Sequence, residues 1–178
     1  TQKNFVFSDY LLYPNKYTME HMIEDYMLEN VSSGKYVLNG YPRNTIFLDT
    51  KRREELRQKL EPNKKKIYAY MPTWRGKIGV ADDDADAILK AYLEEWDKSL
   101  NEDEILYVNL HPVAVKNLDF GGFKNIKKFP ANYETYDFLN CAECLVTDYS
   151  SVFYDYAVTR KKCVLFTYDK DEYFDAKI

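Results

Sequence analysis

Short runs of apolar and β-branched residues alternate along the chain with segments in which apolar residues recur every three or four positions. The first pattern indicates buried strands and the second indicates amphipathic helices. Because strands that alternate with helices usually pair in parallel, the pattern predicts an α/β fold, a doubly wound parallel sheet covered on both faces. The strands are predicted at Phe5–Tyr13, Tyr36–Leu38, Lys66–Met71, Ile105–Leu110, Asn125–Phe129, Cys144–Thr147 and Cys163–Thr167.

Helices are predicted between these strands. The first has an apolar face made of Met19, Met22, Ile23, Tyr26 and Met27. A long helix from Asp84 to Leu100 has an acidic start, which suits the positive end of a helix, so its aspartates are not interpreted as metal ligands. Its apolar stripe consists of Ala85, Leu89, Tyr92, Trp96 and Leu100. The other helices are predicted at Thr50–Leu60, Tyr133–Cys141 and Val152–Thr159.

The predicted elements divide the chain near residue 45. The first strand–helix–strand unit, which ends at Gly40 and Pro42, is too small to close a core, and the 178 residues suffice for one domain and part of another. We therefore interpret residues 1–45 as the tail of a preceding domain and the crossing from it. Residues 46–178 are expected to form a second domain that is truncated at its end.

Composition and charge exclude several classes of function. A formal net charge of −4 argues against a nucleic-acid partner, which favours a basic surface. The 17 tyrosines and 10 phenylalanines lack an accompanying basic groove, so we assign them to the core and ordinary surface rather than to base stacking. No run approaches the ~18 apolar residues of a membrane span.

Three cysteines, Cys141, Cys144 and Cys163, suit a reducing compartment better than a disulfide framework. The first two form a C-x-x-C pattern, which occurs in redox pairs and as half of a zinc site. A second pair of ligands is absent, and both cysteines lie in a mostly apolar run. We expect both to be buried structural residues.

Polar clusters follow four of the predicted strands, and ligands of doubly wound sheets bind beyond the carboxyl ends of strands. At one of them, Ser150 and Ser151 stand where a helix begins, so free backbone N–H groups there suit a phosphate, although simple N-capping explains the serines equally well. The four clusters are Thr73-Trp74-Arg75, Asn109-Leu110-His111-Pro112, Phe129-Pro130 and Thr147-Asp148-Tyr149-Ser150-Ser151.

Three further residues at this edge have two interpretations each. Arg75 could clamp a phosphate or form a surface salt bridge. His111, between a buried strand and a proline, is suited to phosphate contact or proton transfer, whereas most lone histidines are structural. Asp155, one turn into the last helix, could reach ribose hydroxyls or be a surface acid. His21 is assigned to the polar side of its helix.

Several of these segments resemble the CDP-glycerol glycerophosphotransferase family, which makes teichoic-acid-type polymers. The resemblance covers about residues 5 to 169, and its last motif is long and specific. The matching motifs are Gly40-Tyr41-Pro42-Arg43-Asn44, Met71-Pro72-Thr73-Trp74-Arg75, Leu110-His111-Pro112 and Val146-Thr147-Asp148-Tyr149-Ser150-Ser151-Val152-Phe153-Tyr154-Asp155-Tyr156-Ala157.

The resemblance implies a GT-B fold of two Rossmann-like domains, with this chain supplying the C-terminal, donor-binding domain and a small piece of the N-terminal one. Such enzymes transfer glycerol phosphate or ribitol phosphate from a CDP-activated donor to a polyol-phosphate polymer and release CMP. They are cytoplasmic and peripheral on the inner face of the bacterial plasma membrane. No cofactor or metal is implied.

By the same resemblance, His111 matches an essential histidine, and it is the predicted catalytic residue. Arg75, Thr147, Ser150 and Ser151 fall at the diphosphate pocket. Asp155 falls at the ribose and the backbone near Pro130 at the base. Thr73 and Asp148, in the same strand-end clusters, complete the predicted substrate-binding set.

One family feature is missing from the sequence. The family's first histidine, in a Trp-His-Gly context expected to supply the base for the acceptor hydroxyl, is absent. The chain is therefore expected to be a donor-binding fragment without activity by itself. A GT-B glycosyltransferase that uses a nucleotide sugar and a non-catalytic nucleotide-binding module remain alternatives.

Overall fold

The computed structural model describes residues 2–73, 83–110 and 118–175. The chain forms two compact units, Thr1–Ile46 and Phe47–Ile178, which are described separately. Within the described residues, no helix is both long enough and apolar enough to span a membrane.

The first unit is a small parallel β-α-β arrangement. The strands β1 (Tyr10–Tyr13) and β2 (Lys35–Leu38) pair in parallel. Asn15 caps the helix between them by accepting a hydrogen bond from the Thr18 N–H at 2.8 Å. The helices of this unit are α1 (Gln2–Val6), α2 (Lys16–Asp25) and α3 (Leu28–Val31).

Two predictions for this unit are wrong. The strand predicted from Phe5 begins only at Tyr10, because residues before it form α1, which packs the Phe5 ring 5.2 Å from that of Tyr26. Met27 does not share the apolar face of α2: it has a left-handed backbone (φ 51°) and an exposed side chain, since α2 ends at Asp25. The rest of the predicted face packs against Leu11, Tyr13 and Leu28.

The second unit contains a five-stranded parallel sheet. A 3₁₀ helix at Pro42–Leu48 leads into this unit. The strands are β3 (Lys66–Tyr70), β4 (Glu104–Val108), β5 (Ile126–Lys128), β6 (Cys144–Thr147) and β7 (Lys162–Leu165). The helices are α4 (Thr50–Leu60), α5 (Asp83–Ser99), α6 (Thr135–Cys141), α7 (Val152–Tyr156) and α8 (Lys170–Asp175), with a 3₁₀ turn at Ala157–Thr159 after α7.

The strand order β5-β4-β3-β6-β7 places β3 at the centre. From β3 the chain proceeds outward through β4 to β5, then returns to β6 on the other side of β3 and continues to β7. The direction of winding therefore changes between β3 and β6. Where the direction of winding changes, the loops at the carboxyl ends of the two strands leave a crevice, and α/β sheets bind ligands in such crevices. The predicted α/β class with a parallel sheet is confirmed.

Helices cover the sheet on both faces. On one face, Tyr70, Leu106 and Val108 pack with Leu89 and Leu93 of α5. Leu93, which the predicted stripe omitted, is fully buried. On the other face, Tyr107 packs edge-on against Phe138 of α6, because alternate residues of a strand point to opposite faces. Arg52 of α4 is paired with Asp137 of α6 by two hydrogen bonds.

The edge strand β7 is the least covered part of the sheet. All four of its residues, including Cys163, are exposed. The prediction that the other two cysteines are buried is confirmed, and both are free thiols. Burial raises the pKa of the Cys141 thiol to about 11, which disfavours the reactive thiolate. The helix α8, beyond β7, was not predicted.

Candidate functional site

The loops that follow β3 and β6 leave the sheet side by side at the change of winding. Beyond the paired residues, the Met71 N–H donates to the Val146 carbonyl at 2.9 Å, which extends the pairing by one step. On the outer side, the Phe166 N–H donates to the Thr147 carbonyl at 2.7 Å. The backbone therefore brings two of the four predicted clusters, Thr73 and residues 147–151, to one edge.

Two side chains at the end of β6 reach across to the loop after β3. The Thr147 side chain is fully buried, and its hydroxyl donates to the Met71 carbonyl at 2.6 Å. Asp148 is 3% exposed, and its Oδ1 accepts from the backbone N–H of Thr73 at 2.8 Å and from that of Tyr149 at 2.6 Å. Both side chains thus bind backbone groups within the protein.

The serines at the start of α7 make few internal contacts through their side chains. Ser151 occupies the N-cap position, but its side chain forms no capping hydrogen bond and is exposed. The Ser150 hydroxyl accepts from the Val152 N–H at a long 3.4 Å. Of the two serines, Ser151 therefore forms no capping bond, whereas Ser150 accepts one long bond from the first turn. Ser151 is exposed at the edge where ligands are expected.

The helix after these serines is shorter than its pattern predicted. It has α-helical geometry over Val152–Tyr156 and continues as a 3₁₀ turn to Thr159. A single helical turn has a weak macrodipole. An anion here would be held by individual backbone N–H groups and hydroxyls rather than by a long helix dipole.

Asp155 is not the surface acid that one interpretation expected. It is 3% exposed, and its Oδ2 accepts a hydrogen bond at 2.7 Å from the Tyr136 hydroxyl of α6. The Tyr136 ring packs 5.8 Å from that of Phe47. The surface-acid interpretation is wrong, because α6 covers this side of α7. The sequence contained no signal for the Tyr136 contact, since the two residues are separated by 19 positions.

The backbone near Pro130 forms a tight turn after β5. The Phe129 N–H continues the pairing with the Val108 carbonyl at 2.9 Å, and the Pro130 carbonyl accepts from the Tyr133 N–H at 3.0 Å. The Phe129 ring packs edge-on against Phe138 at 4.8 Å. This turn is therefore anchored to the core. It follows β5, which is three strands from β6 in the sheet.

An aromatic pair next to the serines was not anticipated. The rings of Tyr149 and Tyr173 are stacked, with centroids 3.9 Å apart and an angle of 18° between their planes. The Tyr149 hydroxyl also donates to Asp169 at 3.3 Å. These contacts hold α8 against the loop after β6.

Two predicted residues, Arg75 and His111, lie outside the described residues, as do their neighbours Trp74 and Pro112. The predicted phosphate clamp and the predicted catalytic histidine therefore stay predictions. The described part of the histidine cluster follows β4, where the Asn109 N–H donates to the Tyr70 carbonyl at 2.9 Å. Within the described residues there is no group of three or more His, Cys, Asp or Glu side chains arranged to hold a metal ion.

The chain is similar to known proteins in sequence. The profile of a family described as CDP-Glycerol:Poly(glycerophosphate) glycerophosphotransferase matches residues 1–177. The chain is 31% identical over 171 residues to the teichoic acid poly(glycerol phosphate) polymerase of Staphylococcus epidermidis, covering 93% of this chain and 23% of that protein.

The similar solved structures are also those of a teichoic acid polymerase. The wall teichoic acid polymerase TagF superposes with a TM-score of 0.74 at 29% identity, over 93% of this chain and 41% of TagF. A TagF variant soaked with CDPG superposes with a TM-score of 0.72 at 30% identity, over 93% of this chain and 41% of that one. The chain thus spans less than half the length of these relatives.

Proposed function

This chain belongs to the CDP-glycerol:poly(glycerophosphate) glycerophosphotransferase family, and we propose that its protein transfers glycerol phosphate from CDP-glycerol to a growing teichoic-acid-type polymer. The observation that carries the proposal is the position of the longest matching motif, Val146–Ala157, at the change of winding in the sheet. A doubly wound sheet binds nucleotides at this position. Glycerol rather than ribitol is favoured by the name of the S. epidermidis relative.

We assign the donor to the edge formed by the loops after β3 and β6. The diphosphate lies against the backbone N–H groups and hydroxyls of Ser150 and Ser151, near Thr73. Arg75 and His111 neutralise its charge, and Asp155 lies toward the ribose. The backbone near Pro130 contacts the base. Support comes from Ser151, which is exposed and forms no capping bond, and from the order of the strands.

The proposed reaction is a phosphoryl transfer. The terminal hydroxyl of the polymer attacks the β-phosphorus of CDP-glycerol, a new P–O bond forms, and the bond to the CMP oxygen breaks. The attacking hydroxyl gives its proton to a base that this sequence does not contain. Transfers of this kind depend mainly on positioning and charge stabilisation, which are the contributions assigned to Arg75, His111 and the serine turn.

The domain arrangement and the location are part of the same proposal. Residues 1–45 belong to an acceptor-side domain and residues 46–178 to the donor-side domain of a two-domain enzyme, in keeping with the division of the structure after Ile46. The protein works in the cytoplasm at the inner face of the plasma membrane, where the polymer acceptor is made, and the membrane contact is made elsewhere than through this chain.

Calorimetry on the whole protein tests the donor assignment. We expect CDP-glycerol and CMP to bind and UDP-glucose to bind at least ~10-fold more weakly, the loss when a site's polar groups are left unpaired. Release of CMP on addition of polymer acceptor is the matching activity assay. Turnover of a nucleotide sugar in place of CDP-glycerol would show that the protein is a glycosyltransferase. Binding of the donor with no CMP release under any acceptor would favour the non-catalytic module.

A further inference from the structure

Thr147 and Asp148 stand in the family motif, yet their side chains are turned into the protein. Thr147 is fully buried and Asp148 nearly so. The Thr147 hydroxyl donates to a backbone carbonyl of the loop after β3, and the Asp148 carboxylate accepts from a backbone N–H of that loop and from the N–H of the next residue in the chain. From this geometry we infer that the two residues are positioning residues, which fasten the loop after β3 to the turn after β6. The inference rests on the proposed donor site and deepens it.

One carboxylate oxygen sets the distance between the two segments. Because Oδ1 of Asp148 accepts from both the Thr73 and the Tyr149 N–H, the two nitrogens lie no further apart than about two hydrogen-bond lengths, ~5.5 Å. In the sequence, Arg75 follows Thr73 by two positions and Ser150 follows Tyr149 directly. The carboxylate therefore limits the distance between Thr73 and the start of the proposed diphosphate turn.

The Thr147 hydroxyl adds a second hydrogen bond between the two segments, at Met71, two residues before Thr73. It donates to the Met71 carbonyl, while the Met71 N–H donates to Val146. The backbone of Met71 is thus bonded to the end of β6 through both its N–H and its carbonyl. Three successive contacts therefore join the loop after β3 to the turn after β6: the strand pairing, the Thr147 hydroxyl and the Asp148 carboxylate.

Electrostatics also favours positioning over donor contact for Asp148. A carboxylate beside a diphosphate raises the free energy of the bound state, because like charges repel strongly in a partly desolvated crevice. Burying the carboxylate has a further cost unless hydrogen bonds compensate it. Two charge-assisted bonds to backbone N–H groups supply that compensation. An acid at this place is explained by the loops it joins rather than by the ligand.

Paired substitutions in the whole protein test the inference. Asp148→Asn keeps an oxygen that accepts both N–H groups, whereas Asp148→Ala removes it; Thr147→Ser keeps the hydroxyl, whereas Thr147→Val removes it at constant shape. We expect the Asn and Ser variants to bind CDP-glycerol within ~3-fold of the unmodified protein, and the Ala and Val variants to bind ~10-fold or more weakly, since each leaves buried polar groups unpaired. Glu61→Ala serves as the control.

The control removes another buried acid. Glu61 follows α4 ahead of β3, and it accepts from the Tyr107 hydroxyl at 2.7 Å. Its loss should lower the melting temperature and leave donor affinity unchanged. Equal losses of affinity in Asp148→Asn and Asp148→Ala would instead make the charge itself the important property, and would overturn the inference.

Amide hydrogen exchange supplies a readout that needs no ligand. In Asp148→Ala, exchange should rise ~10-fold or more in peptides covering residues 71–73 and 148–150, because the protecting acceptor is gone. The Leu106 N–H, bonded to the Asn125 carbonyl at 2.9 Å, should exchange as before. Unchanged exchange at 71–73 and 148–150 would show that Asp148 does not join the loops. If the exchange changes but the unmodified protein binds no CDP-glycerol, the proposed function fails and the residues have no role in donor positioning.

Discussion

Substitutions at Ser151 decide whether the turn before α7 holds the diphosphate. In the structure the Ser151 side chain forms no capping bond and is exposed. Replacing it with alanine therefore should not change the melting temperature. If its hydroxyl donates to a phosphate oxygen, Ser151→Ala should weaken CDP-glycerol binding by ~1 kcal/mol, or ~5-fold in Kd, the value of one net hydrogen bond. Ser150→Ala should have an effect of the same size.

Ser151→Asp should weaken binding further, because it adds a negative charge beside the phosphates. For unit charges ~5 Å apart, the repulsion is ~1 kcal/mol in water and ~3 kcal/mol at the effective dielectric of a protein surface. The expected loss is therefore ~5-fold to ~200-fold in Kd. Raising the salt concentration should recover part of it, since exposed charges are screened. Aspartate is a good N-cap, so the melting temperature should hold or rise.

The assay is titration calorimetry with CDP-glycerol, paired with thermal melts of the same samples. Ser99→Asp is the matched control, because Ser99 is an exposed serine at the far end of α5 and takes the same added charge. It should leave the Kd unchanged. If Ser151→Asp keeps both its melting temperature and its affinity within ~2-fold, a difference smaller than one hydrogen bond, the phosphate site lies elsewhere.

Three other predictions concern catalysis, the core and alkaline stability. His111→Ala should lower kcat by ~100-fold or more in a folded whole protein, the scale for a lost general acid or charge-stabilising group, and a near-normal kcat would make His111 structural. Leu93→Ala, at a fully buried site under α5, should lower the free energy of unfolding by ~2–5 kcal/mol in urea titrations, whereas Ile88→Ala on the exposed side of α5 should change it by less than ~1 kcal/mol. The Tyr68 hydroxyl donates to Glu104 at 2.7 Å, and this bond and burial raise the pKa of Tyr68 to about 12. The folded state then holds this proton more tightly than the unfolded chain does. The contribution of Tyr68 to the free energy of unfolding is therefore complete below pH ~10 and is lost as the pH rises toward 12. Unfolding titrations at pH 8 and pH 11 should show a smaller loss of stability in Tyr68→Phe than in the unmodified protein, and equal losses would contradict the assignment.

Local patterns determined most of the secondary structure. The predicted bounds of α4 at Thr50–Leu60 and of β6 at Cys144–Thr147 are those of the structure. Asp49 caps the start of α4, and β6 is a short, almost continuously buried apolar run, so each element has a local signal of its own. The same alternation of strands and helices was sufficient for the parallel α/β class, and it correctly predicted that polar clusters follow the strands.

Contacts between distant segments were decided only by the tertiary structure. The strand order, which brings the end of β3 beside the end of β6, depends on where each helix crosses the sheet. Asp148 bonds a backbone N–H 75 positions earlier in the chain, and Asp155 is covered by Tyr136. Residue type and spacing identified both acids as notable, but whether an acid faces solvent, ligand or backbone depends on what packs against it. Periodicity reports which face of an element is buried; it does not report the neighbour that buries it.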